Sequence, residues 1–209
     1  VILAAAQDES AAVRLAALLA LRRLERAEIA TFLHDPDPRL VLEAARAIND
    51  LPISGALPEL ATLLDLKFQI SNLKSEIQIP LLRRALNAAF RHGTRETAEA
   101  LAQFAARADA PEAMRAEALT ALGDWPRPPG RDRITSLWRP LAARRDAKLP
   151  AEALRPAVVE LLRTAPDGVR IAAARAANRL ALTEAAPALL ELVRDTRLNE
   201  AVRVAALKG

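Results

Sequence analysis

Val13-Arg14-Leu15-Ala16-Ala17-Leu18 returns as Val169-Arg170-Ile171-Ala172-Ala173-Ala174 and again as Val202-Arg203-Val204-Ala205-Ala206-Leu207. Met114-Arg115-Ala116-Glu117-Ala118-Leu119 is a looser copy, and the stretches from Leu40 and from Leu82 are weaker ones. The starts at 13, 40, 82, 114, 169 and 202 lie 27, 42, 32, 55 and 33 residues apart. Two of these spacings define a unit of about 32 residues, and the two long ones read as that unit plus an insertion. Inside each copy the apolar positions follow helical spacing, as in Val13, Ala16, Ala17, Ala20, Leu21 and Leu24. A second helical stretch precedes several of them, at 28–33, 57–66, 96–107, 152–163 and 186–194, so the repeating brick is a helical hairpin. Asp37-Pro38 supplies an N-cap followed by Pro at the first helical position, and Ala110-Pro111 and Ala186-Pro187 mark comparable starts. Gly93 and Gly168 fall at boundaries, and Pro58, Pro80 and Pro156 are expected in first turns.

The rest of the composition agrees. Of 209 residues, 48 are Ala and 35 are Leu, against 3% aromatic. Two strong helix formers dominate and little favours strands, which excludes an all-β or doubly wound fold. Ala at inward positions lets helix axes approach to the lower end of the ~8–10 Å range, so hairpins can stack closely. The expected fold is all-α: an α-solenoid, or superhelix, of about five to six hairpins, right-handed or curved, filling 1–209 as a single domain with an insertion at about 124–150. No uncharged apolar run approaches the ~20 residues that span a bilayer, so no membrane insertion is expected. The opening Val1–Ala6 is apolar but has no basic flank, ends at Gln7 and lacks Met, and the chain reads as a piece of a longer polypeptide.

The repeat resembles the HEAT family, in particular the short bacterial form whose second helix carries a signature like D…VR..AA..L. The resemblance implies that the Asp and Arg of the signature form ladders between neighbouring repeats, parts open here to Asp8 with Arg14, Asp109 with Arg115 and Asp167 with Arg170. Val41 stands where the second unit should have Arg, Asn199 rather than Asp precedes Arg203, and Lys67 to Glu76 matches no unit.

One passage breaks the helical pattern: Gly123-Asp124-Trp125-Pro126-Arg127-Pro128-Pro129-Gly130-Arg131-Asp132-Arg133. Three prolines in four positions forbid helix and favour extended chain. Both tryptophans, Trp125 and Trp138, fall in or just after it. The net charge is +4, and Pro126 to Lys148 carries a local excess of +5 from seven basic residues against Asp132 and Asp146. Long irregular segments in repeat proteins are often functional. Two readings stand side by side: Trp125 and Trp138 staple the loop to neighbouring hairpins, or Trp125, Arg127, Arg131, Arg133, Trp138 and Arg139 form a patch for an anionic partner. With its flanking repeats, such as His34-Asp35-Pro36-Asp37-Pro38-Arg39, the loop is similar to the helical region of large exported bacterial proteins. Those join a sugar-dehydrogenase-like propeller, a helical region and a c-type cytochrome domain in one chain. That resemblance implies a connector between an electron-donor and an electron-acceptor domain, and a periplasmic or exported location.

Catalysis needs convergent groups, and none stands out. There is no Cys, and the only histidines, His34 and His92, lie 58 positions apart at turn and helix-end positions. Asp35 and Asp37 are fixed in a turn by Pro36 and Pro38, with no EF-hand Gly or terminal Glu. Glu96 and Glu99 share a solvated helix face, and the six glycines are too scattered for a nucleotide loop. No catalytic, cofactor-binding or metal residue is assigned. The expected function is a non-catalytic scaffold or interaction module for a protein or for neighbouring domains of the same chain. The alternative is nucleic acid: HEAT-like DNA glycosylases use a basic face with Trp and Asp, parts open to Asp124, Trp125, Trp138 and the arginines, although here the basic charge gathers in one loop.

Overall fold

A computed structural model describes residues 1–65, 73–141 and 145–208. Among them every regular element is helical, and the only extended pairing is a single antiparallel bridge between Arg131 and Trp138. The chain divides into two compact units, Val1–His92 and Gly93–Gly209.

The first unit contains α1 (Ile2–Ala5), α2 (Ala11–Arg23), a 3-10 segment Ala27–His34, α3 (Pro38–Asp50), α4 (Leu57–Thr62) and α5 (Ser75–His92). Helices α2, α3 and α5 pack in a row, with the 3-10 segment against α2 and α3 and α4 against α3 and α5. Asp37 caps α3 by accepting from the Arg39 N–H, with Pro38 just inside the helix, as its sequence predicts. The core is apolar, with Leu18, Ile29, Phe32, Ile48, Leu60 and Leu86 closed to solvent. A polar tie crosses it: Asn87 donates to the Asn49 carbonyl oxygen at 2.8 Å, both residues being buried, beside the Arg84–Asp50 pair at 2.7 Å. Of Lys67 to Glu76, the part at 67–72 lies outside the described residues.

The second unit contains α6 (Arg95–Ala106), α7 (Glu112–Asp124), α8 (Lys148–Thr164), α9 (Asp167–Arg179), α10 (Ala186–Arg194) and α11 (Glu200–Leu207). They form three hairpins, α6–α7, α8–α9 and α10–α11. The first helices pack on one another in one row, and the second helices in another. Small residues set the spacing. At the crossing of α7 and α9 a Cβ added to Gly123 would stand 3.3 Å from Ala176 Cα, and α9 buries Ala172, Ala173, Ala174, Ala176 and Ala177 on its inner side.

The arginine of the signature acts on backbone. Arg115 Nε donates to Ala105 O at 2.9 Å, Arg170 Nη2 to Arg163 O at 2.7 Å, and Arg203 Nε to Val193 O at 3.1 Å. In the first unit Arg14 Nη1 donates to Asp8 O at 2.9 Å and Glu9 O at 3.1 Å. In the second unit each signature arginine thus satisfies a last-turn carbonyl of the preceding helix, which has no partner within that helix. Of the three Asp–Arg pairs the sequence suggests for the ladder, only Asp167 with Arg170 forms an ion pair among the described residues. Asp109 pairs with Arg107 at 2.9 Å, Asp8 accepts the Ser10 N–H at 2.8 Å, and Asp167 stands 3.6 Å from Arg170. One ion pair between successive hairpins does join signature positions, Arg14 with Asp35, which stands six residues before Val41 as Asp8 does before Arg14, whereas Arg22–Glu43, Arg95–Glu152 and Arg163–Glu191 come from other positions. Pro80 and Pro156, expected in first turns, lie inside α5 and α8 instead. Each removes one N–H from the helical ladder, and the two helices run past them on the strength of their buried apolar faces.

Candidate partner-binding loop

Helix α7 ends where Trp125 turns its indole into the interior, with no exposed surface at all. The chain then leaves the repeat and returns at Asp146, whose carboxylate accepts the Lys148 N–H at the start of α8. Both ends of the excursion meet at Trp125. The Arg145 guanidinium lies 3.8 Å above the centre of its ring, and the Arg145 N–H donates to Pro126 O at 3.4 Å. On its other side the guanidinium fills the space above Gly93. A Cβ at Gly93 would fall 1.8 Å from Arg145 Nη2, and Gly93 has φ 77°, in the left-handed region that favours glycine. Burial pushes the Arg145 guanidinium down to about 10, far enough above neutral pH to keep it cationic.

Residues 130–139 form a small hairpin. Arg139 N–H donates to Gly130 O at 2.9 Å and Asp132 N–H to Leu137 O at 2.8 Å. Asp132, with only 3% of its surface exposed, organises the turn: its Oδ1 accepts from the main-chain N–H groups of Ile134 and Thr135, each at 2.9 Å, and from the Thr135 hydroxyl at 3.2 Å. Ser136 takes the left-handed φ of 60° that closes it. Trp138 is 71% exposed, and its ring covers Gly130 so closely that a Cβ there would sit 2.4 Å from ring carbons. Leu137, at 53%, is exposed beside it.

The six residues singled out in the sequence therefore take different places. Trp125 is an interior anchor. Arg133 pairs with Asp124 at 2.7 Å, and Asp124 also accepts from Arg179 of α9, tying the loop to α7 and α9. Arg127 and Arg131 are exposed, Arg131 donating one N–H to Ser136 O at 3.0 Å, and Arg139 is half-buried. Arg131, Trp138 and Arg139 are brought together on one hairpin. Sequence reasoning did not give Arg145, Asp132 or Gly93 a part in holding the loop; only the coincidence of an Asp with following Thr and Ser hinted at the turn. Elsewhere, His34 pairs with Glu59 at 3.0 Å on the surface. No group of three or more potential metal ligands occurs among the described residues. No helix among them is long and apolar enough to cross a membrane.

No family model matches the chain, and no curated protein matches it. Solved structures do. A designed armadillo repeat protein in complex with the peptide (KR)4 superimposes with a TM-score of 0.54 and 18% identity over 99% of this chain and 97% of the other. A second designed armadillo repeat protein gives 0.52 and 17% over 99% and 95%, and an engineered protein gives 0.50 and 19% over 99% and 94%. At these identities the likeness is one of fold. The chain is a helical-repeat protein of the α-solenoid class.

Proposed function

We propose that this chain is a non-catalytic helical-repeat scaffold that docks a protein segment on the irregular loop between α7 and α8, through Trp138 with Arg127, Arg131 and Arg139, while Trp125 and Arg133 hold the loop in place. The observation that carries this reading is Trp138, a large aromatic kept 71% exposed on a hairpin fixed from within. Trp and Arg dominate the energetics of protein interfaces, and a side chain ordered before binding loses little entropy on contact. A structural neighbour that binds a peptide supports the same use of the fold. The narrower readings come from the resemblances. These are membership of the short HEAT type, which the carbonyl-capping signature arginines support, and a connector between a dehydrogenase-like and a c-type haem domain, with the periplasmic or exported location it implies.

Selection of random dodecapeptides displayed on phage against the folded protein, with Trp138→Ala as counter-target, tests the docking surface. Peptides that bind the parent and lose the variant support it. Peptides indifferent to Trp138, or a steeply salt-dependent affinity for duplex DNA with no peptide selected, overturn it, the latter in favour of nucleic acid.

A further inference from the structure

From Trp125 to Leu141 the loop is basic outward and acidic only inward, and this selects the chemistry of what it meets. Resting on the docking surface argued above, we infer that the partner segment is acidic: a short extended stretch of Asp and Glu flanking an apolar residue, which packs on Trp138 while its carboxylates reach Arg131 and Arg127. Three observations carry the inference.

The first is the disposal of negative charge. Between Trp125 and Leu141 the only carboxylate is Asp132, and it is buried and turned onto main-chain N–H groups. Asp124, next to the loop, is held by Arg133 and Arg179. The outward charge of the loop is therefore cationic. Among the described residues Arg127 forms no ion pair, and Arg131 spends one donor on Ser136 O of its five.

The second is register. The bonds from Arg139 to Gly130 and from Asp132 to Leu137 flank the Arg131–Trp138 bridge, which makes that bridge a non-hydrogen-bonded antiparallel pair. In such pairs the Cα atoms stand about 4.5 Å apart and both side chains leave the same face. A guanidinium turned to Ser136 O and an indole lying over Gly130 thus leave one face of the hairpin, where one segment can offer a carboxylate to the first and an apolar side chain to the second.

The third is rigidity. Gly130 beneath the indole and Asp132 inside the turn fix where Trp138 stands, so that recognition requires no ordering of the loop.

The test uses three fluorescein-labelled decapeptides: Asp and Glu around a central Leu-Pro, the same peptide with Lys and Arg in place of the acids, and the acidic peptide with Gly-Ser at its centre. Binding is read by anisotropy at 50 and 300 mM NaCl and by the blue shift of tryptophan emission as Trp138 is covered. The expected order is acidic with Leu-Pro first, acidic with Gly-Ser weaker, and basic undetectable. Trp138→Ala and Arg131→Glu should each weaken the first peptide by about tenfold or more. Trp138→Phe and Arg131→Lys should retain part of the affinity, and unchanged circular dichroism will show that the variants fold. Tighter binding of the basic peptide, or acidic binding indifferent to both variants, overturns the inference. If the display selection instead returns Trp138-dependent peptides without acidic residues, the acidic class falls and the docking surface stands. If it returns no Trp138-dependent peptide, both fall.

Discussion

Replacing Gly93 with Ala should uncouple the loop from the repeats behind it. Two costs are expected. At φ 77° an L-residue pays about 1–2 kcal/mol for left-handed backbone. The new Cβ would also sit 1.8 Å from Arg145 Nη2, and the guanidinium must leave the face of Trp125 to make room, losing about 1–2 kcal/mol of partly desolvated cation–π attraction. Together these give about 2–4 kcal/mol, a fall of roughly 10 °C in midpoint for a unit of this size. Both tryptophans belong to the second unit, and in a Trp138→Phe background Trp125 alone reports its unfolding. Urea denaturation followed at Trp125, with acrylamide quenching of the native state, supplies both stability and exposure of the ring. The decisive measurement is the cycle with Arg145→Ala. Once the guanidinium is gone, Gly93→Ala retains only its backbone cost, so the double variant should be more stable than the sum of the single ones by about 1–2 kcal/mol. Additivity within about 0.5 kcal/mol would refute the reasoning, because the collision and the lost stacking would then have no energetic trace.

Arg115→Met should cost about 2–3 kcal/mol, since it strands the Ala105 carbonyl inside the protein, whereas Arg203→Met at a half-buried site should cost less; urea denaturation giving equal and small effects would remove the capping role of the signature arginine. Burial alone would raise the Asp35 carboxyl, but the hydrogen bonds from Arg14 and from the Asp37 N–H outweigh it and hold the group below the usual value. Its contribution is therefore present above about pH 4 and lost as pH falls through the lower folded value. Asp35→Asn should lower stability at pH 7 and flatten the acid limb of denaturation curves recorded by circular dichroism between pH 5 and 2, and an unchanged limb would show that Asp35 is not responsible for it.

The repeats were legible because their signal is periodic and local. VRLAAL and its copies state a helical face, a small inner surface and a spacing, and those three properties suffice for stacked hairpins. The boundaries at Asp37-Pro38 and Gly93 were legible for the same reason, since capping chemistry is read within a few residues. The aspartate ladder was legible only in part, because which carboxylate an arginine meets depends on the offset between neighbouring hairpins. Arg14 reaches Asp35 of the next unit, 21 positions on, whereas Asp109 turns to Arg107. The prolines misled in the same way: sequence reports that Pro80 and Pro156 lack an N–H, not that burial elsewhere along α5 and α8 compensates for it. In the loop, composition located the tryptophans and arginines but could not divide them into anchors and surface. Trp125 and Trp138 are chemically identical. What separates them is tertiary: Trp125 receives Arg145 from 20 residues away, while Trp138 is braced outward by Gly130.

That division bears on why the loop exists. A stack of near-identical hairpins repeats its surface with its core, so a feature that must occur once has to be added from outside the repeat. Such an addition has no stacking neighbours to hold it, and an unsupported segment of this length would be mobile. Here three internal devices substitute for stacking. Trp125 and Arg145 close its two ends on each other, Asp132 saturates the turn at its tip, and the Asp124 pairs with Arg133 and Arg179 fasten its side. All three draw on groups that would otherwise decorate the surface, including Asp124, Asp132 and one of the two indoles. The groups left facing outward are those the fastening does not use, namely Trp138, Leu137, Arg127 and most donors of Arg131. The chemistry that immobilises the loop is thus the same chemistry that leaves its outer face aromatic and cationic.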